Sequence, residues 1–187
     1  LAAEGIQLTN FHTGPTCGPT RAMLMSGVDH HRAGVGANAA ALLRLPELRG
    51  RPGYEGYLNN RVVSFAKLLQ DSGYHTFMTG KWDLGAKPGT VPTDRGFDHY
   101  FGLISGGASH FQDATGNMRP VAKARYFEDD RPLEKLPANF YSSKNYTDRL
   151  LGFIESRPGD DEPYFAYLAY TAPHWPLHAR EADVAHY

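Results

Sequence analysis

Cys17 is the single cysteine in the chain. It stands in TCGPTRAML, residues 16–24, two positions before Pro19 and four before Arg21. Pro19 suits the first turn of a helix and Gly27 its end, so RAMLMSG is expected to be a short helix. A group just before such a helix faces unpaired N–H groups and the positive end of the helix dipole. That place favours negative charge, whether a thiolate or a bound oxyanion. Arg21, one turn in, adds a bidentate grip on an anion or holds the nucleophile. A thiolate attacking an ester needs a nearby base, and His12 is the local candidate. The plainer alternative is a buried cysteine beside a surface arginine.

Two further stretches carry chemistry. In GKWDLG, residues 80–85, glycines flank a lysine and a carboxylate. In an extended loop Lys81 and Asp83 point the same way. Lys81 is a suitable point charge for a tetrahedral anion, although a surface ion pair at a turn has the same spelling. In TAPHWPLH, residues 171–178, His174 lies between two prolines that stiffen the loop. A histidine there suits proton transfer to a leaving group; a loop histidine bonded to a carbonyl is the alternative. His30, His31 and His178 read as structural. The pairs Asp129–Asp130 and Asp160–Asp161 read as solvated turns rather than metal sites.

Several elements must position these residues. GIQLTNFH (5–12) alternates apolar and polar side chains and predicts a strand. Residues 28–60, rich in Gly, Pro and Arg, predict an irregular excursion. VVSFAKLLQDSG (62–73) predicts an amphipathic helix with Val62, Phe65, Ala66, Leu68 and Leu69 on one face and Gly73 closing it. YHTFMTG (74–80) predicts a strand running into the Lys81 loop. Residues 86–144 predict mostly loop, with RYFE a short strand. YTDRLLGFIESR (146–157) predicts a second helix, stopped by Pro158, and PYFAYLAY a buried strand before the His174 loop. Helices alternating with apolar strands predict an α/β fold with a mostly parallel sheet covered by helices. In such sheets sites gather beyond the carboxyl ends of strands, so Cys17, Lys81 and His174 are expected to converge.

The whole chain narrows the classes. Its 187 residues, 41% hydrophobic, suit one domain or a large part of one. A net charge of −1 leaves no electrostatic footprint for nucleic acid or an anionic membrane, so neither is an expected partner. One cysteine excludes an intrachain disulfide. The longest strongly apolar run, residues 164–172, is too short to span a bilayer. No signal-peptide pattern opens the chain, and its compartment stays unassigned.

Together these stretches resemble the sulfatase family, within the alkaline-phosphatase-like superfamily. CGPTR resembles the signature C-x-P-[ST]-R, and RAMLMSG continues toward L-x-[TS]-G. GYHTFMTGKWDLG resembles G-Y-x-T-x-x-x-G-K-W-H-L-G with one departure. DRGFDHYFG resembles R-G-F-D-x-x-F-G, and APHWPL resembles P-H-x-P-L. Order and spacing agree from Gly5 to the end. DHHRAGVG and PGYEGYLN between the first two motifs are most similar to bacterial-type arylsulfatases.

The resemblance implies an alkaline-phosphatase-like α/β fold, incomplete over residues 1–187, lacking the first metal-binding strand and the C-terminal portion of the catalytic domain. It implies that Cys17 is oxidised to formylglycine by a formylglycine-generating enzyme that reads C-x-P-x-R. The hydrated aldehyde then attacks the sulfur of a small-molecule sulfate ester with one hydroxyl. The second hydroxyl loses its proton, the aldehyde reforms and sulfate leaves. Arg21 would hold the formylglycine. Lys81 would bind a sulfate oxygen and the leaving oxygen, and His174 would bind sulfate or protonate the leaving group. A divalent cation, calcium in the usual case, would be ligated by the modified Cys17 and by carboxylates not in this chain. Asp83 stands where the family has the histidine that takes the proton from the remaining hydroxyl, so Asp83 is expected to impair cleavage. Related readings are a phosphonate or phosphodiester hydrolase using the same nucleophile, and a catalytically inactive fragment or paralogue.

Overall fold

A computed structural model describes residues 2–116, 123–157, 159 and 161–187. Its centre is a five-stranded mixed sheet in the order β4-β3-β2-β1-β5. The strands are β1 (His75–Gly80), β2 (His99–Leu103), β3 (Tyr126–Glu128), β4 (Arg131–Pro132) and β5 (Tyr164–Ala169). Central β1 runs parallel to β2 and to β5, with His75 opposite Tyr164 and Gly80 opposite Ala169. β3 and β4 continue the sheet antiparallel.

Helices cover both faces. They are α1 (Cys17–Ser26), α2 (Ala39–Arg44), α3 (Phe65–Asp71), α4 (Ser142–Ser156) and α5 (Glu181–Val184). Because strand side chains alternate in direction, each strand feeds two cores. Met78, Tyr100, Phe127 and Ala169 pack with Ala22 and Met25 of α1 and Ala66 of α3. Phe101, Leu103 and Tyr126 pack with Tyr146 of α4 and with Phe140. Each large apolar side chain so buried stabilises by roughly 1.5–3 kcal/mol. β1 is buried on both faces, and its buried Thr76 and Thr79 hydroxyls are satisfied by the Gly96 and Tyr146 carbonyls.

Local caps set the helix boundaries. Ser64 caps α3 by accepting from the Lys67 N–H at 3.1 Å, and Gly73 takes the left-handed conformation just beyond (φ 86°). Asn38 caps α2 through the Ala41 N–H at 2.7 Å.

Several expectations change. Residues 5–12 form no strand; Ile6, Leu8 and Phe11 are exposed, because no neighbouring backbone among the described residues pairs with them. The first helix begins at Cys17 itself, with Thr16 as its cap residue. The excursion over 28–60 contains α2, and the 86–144 stretch contains β2 and β4 besides the expected short strand at 126–128. The last long helix begins at Ser142, one turn earlier than Tyr146. Leu68 faces solvent rather than the core.

Candidate active site

Residues from two distant motifs meet at Cys17. Its thiol donates to Asp83 Oδ2 at 3.2 Å, across 66 positions of sequence. Lys81 Nζ lies 3.4 Å from the same oxygen. The two charged side chains are only 3% and 9% exposed, so the pair is held out of bulk water. Inside a protein such a pair attracts more strongly than at a surface, and removing one partner leaves a buried charge.

The Lys81–Asp83 loop is shaped by its neighbours. Gly80 ends β1 at φ 107°, and a Cβ there would sit 2.0 Å from the Ala169 carbonyl oxygen. Only glycine fits that approach. The Lys81 N–H then donates to Ala169 at 2.8 Å, and the Trp82 and Asp83 N–H groups donate to Leu103 and Ile104. The Trp82 ring is fully buried and its Nε1–H donates to the Thr90 carbonyl at 2.9 Å. Asp83 has φ 59°, in the left-handed region. The side chains of Lys81 and Asp83 therefore converge, but through a left-handed turn rather than the extended alternation expected. A non-glycine residue there stores strain, which often marks functional positions.

Arg21 lies one turn into α1 and donates to the Tyr167 hydroxyl on β5 at 2.9 Å. Its Nε is buried and finds no hydrogen-bond partner among the described residues. An unsatisfied buried guanidinium N–H is a donor available to an anion.

His174 sits in the loop after β5. Its N–H donates to the Thr171 carbonyl at 2.8 Å, its carbonyl contacts His110 Nε2 at 3.2 Å, and its ring Nδ1 contacts the Trp175 carbonyl. Since Gly80 and Ala169 are paired in register, the Lys81 loop and the His174 loop leave the same edge of the sheet. Direct bonds join Cys17, Asp83 and Lys81; Arg21 and His174 are placed by neighbouring elements.

The remaining candidates fall outside this group. His12 is exposed and shares a hydrogen bond with Asn10 at 2.6 Å, so the acceptor at Cys17 is Asp83 and not His12. His30 Nδ1 contacts the Val35 carbonyl and His31 Nε2 the Tyr54 hydroxyl, in keeping with structural roles. His178 is exposed beside the rings of His110 and Phe111. Asp129 occupies a left-handed turn and accepts the Tyr100 N–H, as a turn residue does. The pair at 160–161 falls partly outside the described residues. Sequence reasoning missed Tyr167, Trp82 and the buried His110; a tryptophan inside GKWDLG is a signal for an anchor, whereas nothing local marks the other two.

The donors at Cys17 do not by themselves fit a divalent cation. Calcium takes six to eight oxygens, whereas Asp83 is the single carboxylate bonded there and its Oδ2 already meets a thiol and an ammonium. Among the described residues, the group of three or more metal-ligating side chains is Asp29, His30 and His31, which includes neither Cys17 nor Asp83.

The chain matches the Sulfatase family over residues 1–187 and belongs to that family. It is 42% identical to an uncharacterized sulfatase of Schizosaccharomyces pombe, over 100% of this chain and 35% of that protein. It is 39% identical to an arylsulfatase of Klebsiella aerogenes, over 96% of this chain and 38% of that enzyme. Among solved structures, Ps i-CgsB in complex with k-i-k-neocarrahexaose superposes with a TM-score of 0.74 at 28% identity, covering 92% of this chain and 38% of that one. A Pseudoalteromonas sulfatase, PsFucS1, shares the fold with a TM-score of 0.62 at 19% identity. The chain thus spans little more than a third of the curated relatives it matches.

Proposed function

We propose that residues 1–187 are the nucleophile-bearing part of a sulfuric ester hydrolase catalytic domain, acting on sulfate monoesters. The observation that carries this reading is the meeting of CGPTR and GKWDLG, with Cys17 bonded to Asp83 and Asp83 to Lys81. Two motifs with anion-handling residues have little physical reason to share a buried corner unless an anion is handled there.

In this reading Cys17 is converted to formylglycine, whose hydrate supplies the attacking oxygen. Arg21 orients that group and offsets charge with its unsatisfied Nε–H. Lys81, released from Asp83 when an anion arrives, binds a sulfate oxygen and the leaving oxygen. His174 protonates the leaving oxygen or binds sulfate. The cation of the family, calcium in the usual case, would be held mainly by carboxylates beyond this chain, and no step here is assigned to it.

A second reading, a catalytically inactive relative, is favoured by Asp83. Its carboxylate faces Cys17, and a negative charge about 4 Å from a bound sulfate costs on the order of 4 kcal/mol at an effective dielectric near 20. One experiment separates the two. The full-length protein is produced with and without a formylglycine-generating enzyme, the peptide carrying Cys17 is probed with an aldehyde-reactive label, and hydrolysis of nitrophenyl sulfate is followed. Labelling with turnover supports the hydrolase; labelling without turnover supports the inactive relative; no labelling counts against the formylglycine mechanism.

A further inference from the structure

His110 is a titratable side chain only 2% exposed that the proposed chemistry does not use. It lies between β2 and β3, in GGASHFQD. Two separate segments, the start of α4 and the loop after β5, converge on it. Its Nε2 lies 3.2 Å from the backbone carbonyl of His174. Its Nδ1 lies 3.0 Å from the hydroxyl of Ser142, the first residue of α4, and 3.3 Å from that of Thr171, just beyond β5. Its own carbonyl accepts the Ser142 N–H at 2.9 Å.

The donor pattern follows from chemistry. A backbone carbonyl only accepts, so Nε2 carries a hydrogen and donates to His174. In the neutral ring Nδ1 is then an acceptor, and the hydroxyls of Ser142 and Thr171 can donate to it. Ser142 and Thr171 are themselves buried, so each bond is made away from competing water. Thr171 also accepts the His174 N–H, which places His174 between two contacts that both trace back to the His110 network.

We propose that His110 is a positioning residue for His174: it fixes the loop after β5 against the N-terminus of α4 and so aims the His174 ring at the leaving oxygen. This rests on the reading of His174 as the proton donor to that oxygen. His110 touches no reacting atom, so its effect runs through His174.

The test uses the full-length protein and two esters, a nitrophenyl sulfate, whose leaving group departs without help, and an alkyl sulfate, whose leaving group needs a proton. His110→Ala should slow the alkyl sulfate at least tenfold more than the nitrophenyl ester, mainly in kcat. His110→Gln, whose amide N–H can replace the Nε2 donor, should recover most of that difference. In a His174→Ala background His110→Ala should produce no further difference between the esters. Equal slowing of both esters, or a difference that survives His174→Ala, overturns the proposal. Amide hydrogen exchange supplies a readout independent of turnover. In His110→Ala, residues 171–178 should exchange at least tenfold faster while β1 stays protected, and unchanged exchange in that segment overturns the positioning role. If the unaltered protein cleaves neither ester, the hydrolase reading fails on its own, and the exchange result still decides whether His110 holds the loop.

Discussion

The loop carrying Lys81 and the loop carrying His174 leave the same edge of the sheet, one beyond β1 and the other beyond β5. The first is pinned by packing: Gly80 lies against the Ala169 backbone, and Trp82 is wholly buried with its indole N–H satisfied. The second is pinned by polar groups; Trp175 is 62% exposed and Leu177 is exposed too, while Thr171 and His110 hold the backbone from below. Packing is dense and unforgiving, whereas hydrogen bonds orient a segment without burying it. The Lys81 side is therefore built as rigid core and the His174 side as an anchored surface loop. Under the proposed function that division suits chemistry in which sulfate is held fixed and the alcohol portion varies.

Gly80→Ala should break this comparison most severely. Its Cβ would fall 2.0 Å from a backbone oxygen that has nowhere to move, at a φ that alanine disfavours. Loss of the cooperative urea transition is expected. The two tryptophans sharpen the contrast further. Trp82→Ala should cost about 3–5 kcal/mol by opening a core cavity, whereas Trp175→Ala should stay within about 0.5 kcal/mol in the same denaturation assay. Similar losses at both positions would show that the His174 loop is packed rather than merely tied.

Asp83→His tests the rigid half for chemistry. If the carboxylate repels bound sulfate, the substitution should raise nitrophenyl sulfate turnover of the full-length, formylglycine-bearing protein by about tenfold or more, about 1.4 kcal/mol. An Asp83 form already as fast as the histidine form would mean the carboxylate does not face the sulfate. A modest effect belongs to Thr171→Val, which removes one buried hydroxyl at similar shape. It should cost about 1 kcal/mol of stability and loosen the His174 loop in amide exchange.

Much of this was legible in the sequence where the local pattern and the tertiary outcome agree. The strand-like stretch at 75–80 and the apolar run at 164–169 became β1 and β5 because both lie against covered sheet faces. The helix closed by Gly73 was legible from its apolar spacing, although it starts at Phe65 behind the Ser64 cap rather than at Val62. β2 was hidden because HYFGL sits inside a glycine-rich motif and pairs only once β1 is in place beside it. The alternation of Ile6 and Leu8 misled for the opposite reason: the pattern is strand-like, but a strand needs a partner. Within the candidate site, Cys17, Arg21, Lys81 and His174 were singled out by residue type, while the Cys17–Asp83 bond spans 66 positions and had no local trace. His110 was invisible for the same reason, since its burial is created by Ser142 and Thr171 from elsewhere.

The parallel pairing of β1 with β5 also sets a clock. His75 cannot find Tyr164 until that residue has left the ribosome, and contacts separated by roughly 90 positions form late in folding. Arg21 reaches its Tyr167 anchor no earlier. At about 5–20 residues per second, roughly 7–30 s pass between synthesis of Cys17 and synthesis of the strand that anchors Arg21. During that interval TCGPTR lacks the tie between Arg21 and Tyr167, and under the proposed function that is when Cys17 would be most open to modification. Once β5 is in place Arg21 is tied to Tyr167, and under the proposed function modification of Cys17 would have to precede folding or compete with it.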